Sequence, residues 1–499
     1  MKFFHLYISF FIKKKALYVL LFIITLPAFS QVGIGTSNPS SSSALEVASQ
    51  SLGVLFPRMT TLNRTNISQP ANSLLVYDTD ERAFFYYDSI PPSPKWIKIS
   101  SDFDERSKRV LVKSEADFPA QSGGKITLNP DFVYEINGTV NLTNSIDLNN
   151  ATVVGRDGFE DIIQYSGGTG GIIFQGNTGG TVRNITLKGG GAFNITGPGR
   201  NTNTSLIVQN TVIDGMTTSV GTISGLGLYF GNIIQYKGNA NGMTYLNIGN
   251  LLLINQGWFS DNQGAFETFS GTFGLIGKVS GFSTVSGSSV AMDFSSNPTV
   301  SNGVIQSVTF SGTTTAPSGY VKGYTTGTYT GYNFNNFWTV DAPGIPRESD
   351  AVATGDINFP GTVTGADGYT TSFNGGSMEK VWGDTNSKNL YRFTRDGNNR
   401  ITYRGSKKRI FRVNASLSYQ LTNTSTTVVL FFVKGKGSGP VTLLEDTKVY
   451  ARVGSTNDIE ATKIVGTIAL EKDEYIEIWA ERTAGNGKMF TVSLNLTAR

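Results

Sequence analysis

The sequence predicts an all-β protein: a solenoid of stacked parallel strands, followed by a jelly-roll β-sandwich and preceded by a short-stranded attachment segment. Glycine stands at 58 of 499 positions and charged residues make up only 16%, yet 39% of the chain is hydrophobic. That apolar content is spread through short β-branched runs, which specifies strands joined by tight turns rather than disorder. Between Val110 and Val340 such runs recur at the spacing of solenoid coils, whereas the C-terminal region packs its strand-like runs closely without that spacing.

The first element, residues 1–30, reads as a removable secretion leader. Lys13, Lys14 and Lys15 form a basic flank, Ala16 to Leu26 is an uncharged apolar run, and Ala28-Phe29-Ser30 sets small residues for cleavage between Ser30 and Gln31. The run is too short to span a bilayer comfortably. Its removal takes away Lys2, Lys13, Lys14 and Lys15, so that 41 basic residues become 37 against 37 acidic ones. The mature chain is nominally neutral, and no nucleic-acid partner is expected. The single histidine, His5, leaves with the leader, and there is no cysteine. Imidazole catalysis, thiolate metal sites, disulfides and a lipid-modified cysteine anchor are thereby excluded from the expectation.

Residues 31–107 form the second element. Gln31-Val-Gly-Ile-Gly-Thr-Ser-Asn-Pro39, Ala44-Leu-Glu-Val47, Gly53-Val-Leu-Phe-Pro-Arg-Met59, Leu74-Leu-Val-Tyr-Asp-Thr79, Phe84-Phe-Tyr-Tyr87 and Trp96-Ile-Lys-Ile99 are short extended segments punctuated by Gly, Pro and Asn. So little continuous apolar sequence builds a poor core alone, which makes oligomerisation an attractive supplement. This combination resembles the mature N-termini of secreted fibre-like proteins of Bacteroidetes, and Gly-Ile-Gly-Thr is similar to segments of phage tail-fibre shafts. The resemblance implies a homotrimer in a cell-surface or fibre context.

From 108 to 341, apolar runs recur at Thr181–Leu187, Leu206–Ile213, Leu228–Ile234, Tyr245–Ile254, Phe273–Val279 and Val304–Phe310. Aligned at Asn184, Asn210, Asn232, Asn250, Lys278 and Ser307 they advance by 26, 22, 18, 28 and 29 residues. The segment resembles the right-handed parallel β-helix of the pectate-lyase-like superfamily. Asn184, Asn210, Asn232 and Asn250 are expected at turns, where Asn bonds its own backbone.

Residues 342–376, rich in Gly, Thr and Asp, read as a neck, and 377–499 as the jelly roll. Gly466 to Ala480 followed by Phe490 to Leu496 resembles the last strands of the C1q/TNF-like head, although Lys472-Asp473-Glu474 replaces that family's Gly-Asp turn. This resemblance too implies a trimer.

No residue is assigned a catalytic or metal-binding role, and no cofactor is expected. The best acidic group, Arg156-Asp157-Gly-Phe-Glu160-Asp161, reads as a solvated turn rather than an acid/base pair. Of the polygalacturonase motifs, Asp-Asp and Gly-His-Gly are missing, and Asn-x-Asp and Arg-x-Lys occur only as the isolated Asn129-Pro130-Asp131 and Arg106-Ser107-Lys108. Trp258, Tyr332, Phe337 and Trp338 are the candidate carbohydrate-binding aromatics, set against a core or end-capping role. Arg400, Arg404, Lys408 and Arg412 are the candidate acidic-glycan site, set against a solvated strand face. Asp88-Ser89-Ile90 resembles the O-glycosylation acceptor of Bacteroidetes.

The reading is an exported surface fibre or adhesin that presents its head away from an attachment point. The Bacteroidetes resemblance implies an outer-membrane type IX secretion or gliding machine as partner, and a surface glycan is the expected ligand. A polysaccharide lyase or glycoside hydrolase on the same scaffold, and a phage-derived receptor-binding tail fibre, are the alternatives.

Overall fold

A computed structural model describes residues 31–90, 93–99, 108–168, 170–314, 319–361, 369–374, 376–456 and 458–499. The leader and Ser30 lie outside the described residues, and Gln31 is exposed. The chain divides into two units, Met1–Ser107 and Lys108–Arg499.

In the first unit, Val32–Ile34 pairs in parallel with Leu45–Val47. Gly35 has φ +81, and a Cβ there would stand 2.1 Å from the carbonyl oxygen of Ala48, so this crossing admits only glycine. Arg58–Met59, Leu75–Asp78, Ala83–Asp88 and Lys95–Lys98 form a four-stranded sheet. Its anchor is Arg64, on the short helix Thr61–Thr65, whose Nε lies 2.8 Å from Asp78 and whose guanidinium sits 3.9 Å from the centre of the Phe85 ring. Burial pushes the Asp78 carboxyl up, but Arg64, the amides of Glu81 and Asp80 and the Thr61 hydroxyl outweigh it and hold the group at about 2.

The second unit opens with the β-solenoid. Each coil runs through three strand positions, here called faces one, two and three. Face one begins with Arg109–Val112, continues through Val133–Ile136, Thr152–Val154 and Gly180–Arg183, and ends with Trp338–Asp341. Face two begins with Thr139–Leu142, Ile162–Tyr165 and Thr186–Lys188. Face three is a sheet of nine described strands from Lys125–Thr127 to Val321–Lys322. All rungs pair in parallel. Alternate residues therefore stack either inward or outward along columns that run from coil to coil.

In the middle coils, faces one and two meet at a single residue of left-handed conformation, and in Ser205–Asp214, Leu228–Lys237, Asn250–Trp258 and Thr272–Gly287 they are two halves of one long strand. These corners are Asn184, Asn210, Ile233, Asn255, Ser280 and Ser307, with φ of 56, 48, 55, 49, 60 and 58. The neighbouring strand registers stack them one above another. Asn210 Nδ2 donates to Asn184 Oδ1 at 3.1 Å, the rung of an amide ladder. The expected turn positions need correction at Asn232 and Asn250. Asn232 precedes its corner by one residue, and Asn250 opens the strand Asn250–Trp258. The corner is set by backbone register, so matching residue type misses it where Ile233 takes the place.

The solenoid interior is a continuous apolar column with a stack of aromatic rings, including Phe269 and Phe294 at 4.4 Å and 1°. A second amide ladder is buried within it. Asn239 Nδ2 donates to Asn262 Oδ1 at 2.8 Å, and Asn262 Nδ2 donates to the Tyr236 carbonyl at 2.7 Å.

The C-terminal sandwich packs two antiparallel sheets face to face. One orders Gly355–Phe359, Met489–Ala498, Arg409–Leu421 and Glu460–Leu470; the other orders Phe393–Arg395, Ile401–Tyr403, Glu474–Ala484, Thr427–Lys436 and Thr442–Leu443. Phe411, Leu417, Leu430, Phe432, Ile476 and Leu494 meet between them. The neck expected over 342–376 is divided between the two bodies. Ile345 packs on the solenoid core, while Gly355–Phe359 and Thr370–Thr371 pair with Met489–Ala498. Its glycines and threonines hid an edge strand whose Ile357 and Phe359 face the sandwich core.

Candidate functional site

Past Val321–Lys322 the chain crosses the end of the solenoid and covers its last aromatic rung. Tyr324, Phe334 and Trp338 lie 5.7, 5.1 and 5.0 Å from Phe294, ring centre to ring centre. Trp338 Nε1 donates to Tyr324 Oη at 3.2 Å, and Tyr324 Oη donates to the Pro298 carbonyl at 2.9 Å. The Trp338 ring rests on Gly303, where a Cβ would come within 2.2 Å of it. Such a cover is what an open solenoid end requires.

The sandwich docks on this cover. Arg392 is buried and donates to the carbonyls of Trp338 and Asn336 and to the carboxylate of Asp350. Tyr391 stacks on Tyr332 at 4.0 Å and meets Tyr329 edge-on at 5.3 Å. Glu348 is buried beneath, accepting from the amides of Asn333 at 2.7 Å and Phe334 at 2.9 Å. Burial pushes its carboxyl up to about 7, against the pull of those amides and of Arg392.

The docked surfaces leave a cleft of about 940 Å³, lined among others by Tyr329, Tyr332, Tyr391, Lys388, Asn389 and Arg395. It combines ring faces with amide and cationic groups, the chemistry that receives a sugar's apolar face and its hydroxyls. A second groove, of about 620 Å³, runs along face two of the solenoid. There Gln164, Tyr165, the Lys188–Asp214 ion pair and Thr217 surround glycine turns.

The four aromatic candidates separate. Tyr332 is half-buried in the cleft and Phe337 is 57% exposed, but Trp338 is buried within the cover. Trp258 is stacked on Phe266 at 4.5 Å inside the solenoid and offers no ring face to solvent. Its inward register on the strand Asn250–Trp258 dictates this.

The four basic candidates do not gather into one patch. Arg400 lies 2.6 Å from Glu477 and 3.7 Å from the centre of the Tyr475 ring, and it shares that carboxylate with Lys380. Arg404 is held by Asp396 and Asp473, and Lys408 pairs with Glu471 at 3.3 Å. Arg412 is exposed on the other sheet, opposite Thr467. Carboxylates on other strands and turns thus pair with three of the four residues that read locally as a basic run.

The acidic group near Asp157 is a braced turn. Asp161 accepts from the amides of Gly138, Arg156 and Asp157 at 2.9, 2.6 and 3.0 Å. Burial raises its carboxyl, but these amides prevail and hold it below the usual range. Sequence reading missed the ion pair Lys278–Glu267, 2.7 Å apart and fully buried in the solenoid. Burial pushes the Glu267 carboxyl up against the pull of Lys278. Strand alternation through Thr272–Gly287 was the available signal, because Lys278 falls in the inward register beside Leu253.

Residues 33–114 match a family described as a phage tail like trimerisation region. No curated protein matches the chain. Among solved structures, murine APRIL at pH 5.0 aligns at 10% identity and a TM-score of 0.20, covering 29% of this chain and 99% of that one. Eiger TNF from S. frugiperda aligns at 9% and 0.21, covering 30% and 92%. The enzymatically active domain of tailspike protein 4 from bacteriophage CBA120 aligns at 8% and 0.21, covering 89% and 77%. At scores this low the fold rests on the strand pairing itself.

Proposed function

We propose that the chain is an exported homotrimeric fibre whose N-terminal segment joins three copies and whose solenoid and sandwich form a receptor-binding body. The carrying observation is the apolar surface of residues 32–56. Val32, Ile34, Leu45 and Val47 are all exposed on a two-stranded pair, and Leu52 and Leu55 follow at 80% and 76% exposure. A two-stranded pair is marginal alone, and large side chains crowded onto one short segment mark a surface that is buried on assembly. The trimerisation-region match over 33–114 supports threefold association. A surface glycan in the Tyr332–Tyr391 cleft completes the reading.

Sedimentation of the leader-free protein tests the assembly. Three-chain mass is expected, with Ile34→Asp shifting the protein to one chain while its circular dichroism stays β-rich. One-chain mass for the unaltered protein overturns the reading.

A further inference from the structure

The three solenoid faces differ in what they turn outward. On face one a single column of side chains ascends through Arg109, Val133, Thr152 and Thr181. It continues at Ile207, Phe230, Leu252, Gly277 and Val304. From Ile207 to Val304 the column is apolar apart from Gly277, and it ends on Thr339; Leu228 and Ile254 flank it among the polar Gln209, Asn232 and Asn250. Each of these six apolar side chains is partly exposed, in an alternating pattern whose other members are buried.

Face two turns out Asp214, Gln235, Lys237 and Ser311 in the same coils, and its aromatics Phe259 and Phe282 pack on each other at 5.1 Å. Face three turns out Thr222, Thr244, Thr268 and Asp293. The edge of face one carries a further anomaly. Ile233 is 47% exposed and left-handed at φ 55, at a corner where the other middle coils place Asn or Ser. A β-branched residue is strained there and gains nothing from water.

We propose that the outer surface of face one, from Ile207 to Val304, is where the solenoids of neighbouring copies of this chain pack side by side. The occupant is a second copy because the column begins at Arg109, within the residues that match the trimerisation region. The apolar part of that column would extend into the solenoid the association expected of the N-terminal segment, and faces two and three remain available for ligands. This inference rests on the trimeric reading and adds to it the surface and the register.

The absence of cysteine from the sequence makes the test direct. Single variants Phe230→Cys and Leu252→Cys on face one, Gln235→Cys on face two and Thr244→Cys on face three are labelled with a maleimide, and each is sized by sedimentation. Face-one thiols are expected to react about tenfold or more slowly than the other two in protein of three-chain mass, as buried interface positions do. Ile207→Cys and Val304→Cys, in the same column, replace either face-one variant that does not fold. Equal labelling on all faces at three-chain mass overturns the assignment of face one while leaving the trimer intact. One-chain mass for the unaltered protein overturns both.

Discussion

Glu348 shows how one buried group ties two bodies to solution pH. Its oxygens hold the amides of Asn333 and Phe334 in the solenoid cover, immediately before the chain enters the sandwich. Because its carboxyl titrates at about 7 in the fold against 4.5 ordinarily, the folded protein keeps a proton that the unfolded chain has released between those values. The contribution of Glu348 to stability is therefore greatest below pH 4.5 and is lost as pH rises through 7, by on the order of 3 kcal/mol at 1.4 kcal/mol for each tenfold change in proton affinity. Urea unfolding of the wild type and Glu348→Gln across pH 4–8 is expected to show that slope in the former and its loss in the latter. The Lys278–Glu267 pair is the second residue-scale case, since Glu267 has an oxygen without a hydrogen-bond partner and depends on Lys278 for neutralisation. Lys278→Met should cost about 3 to 5 kcal/mol by leaving a buried charge alone, and adding Glu267→Gln should recover most of it. Neither group was legible in the sequence as more than an isolated charge. A partner 11 residues away on another strand becomes a neighbour only when the coil closes.

At the scale of the element, the corner between faces one and two repeats the same backbone demand in successive coils. Asn tolerates the left-handed region because its short side chain bonds the local backbone, whereas Ala suffers the full clash. Asn255→Ala is expected to lower stability by about 1 to 2 kcal/mol, with Asn255→Gly near neutral, both read by thermal unfolding. The existence of the repeat was legible from Asn184 and Asn210, which are true corners. Its phase was not legible at Asn232, one residue before the corner at Ile233, or at Asn250, five before the corner at Asn255, because a slip along the run changes which side chain bends the strand without changing the composition of the run. Gly355–Phe359 escaped notice for a related reason. A strand that earns its place by pairing with Met489–Ala498 need not announce itself by local propensity.

At the scale of the whole molecule, a chain with 41 positive and 37 negative side chains uses many of them internally. The pairs at Arg392, Arg400 and Arg404 bind sandwich strands to one another and to the solenoid cover, so much of the C-terminal basic run is spent on architecture, while Arg412 stays exposed. The surfaces proposed for partners are the apolar N-terminal stripe, the apolar column of face one and the Tyr332–Tyr391 cleft. Sedimentation and thiol labelling address the first two independently, since the stripe and the flank lie in different units.

Alternation and turn chemistry are local properties, written in every few residues. The sequence alone therefore determined that this is an all-β protein, that its middle winds into coils and that its end is a sandwich. Which charges are spent, which aromatic rings are closed and which flank is left apolar were decided only by the tertiary structure. Those outcomes depend on register between strands some 20 to 100 residues apart, as in Leu252 beneath Gly277 and Lys380 on Glu477. A one-residue slip in register exchanges inside for outside without altering the local pattern.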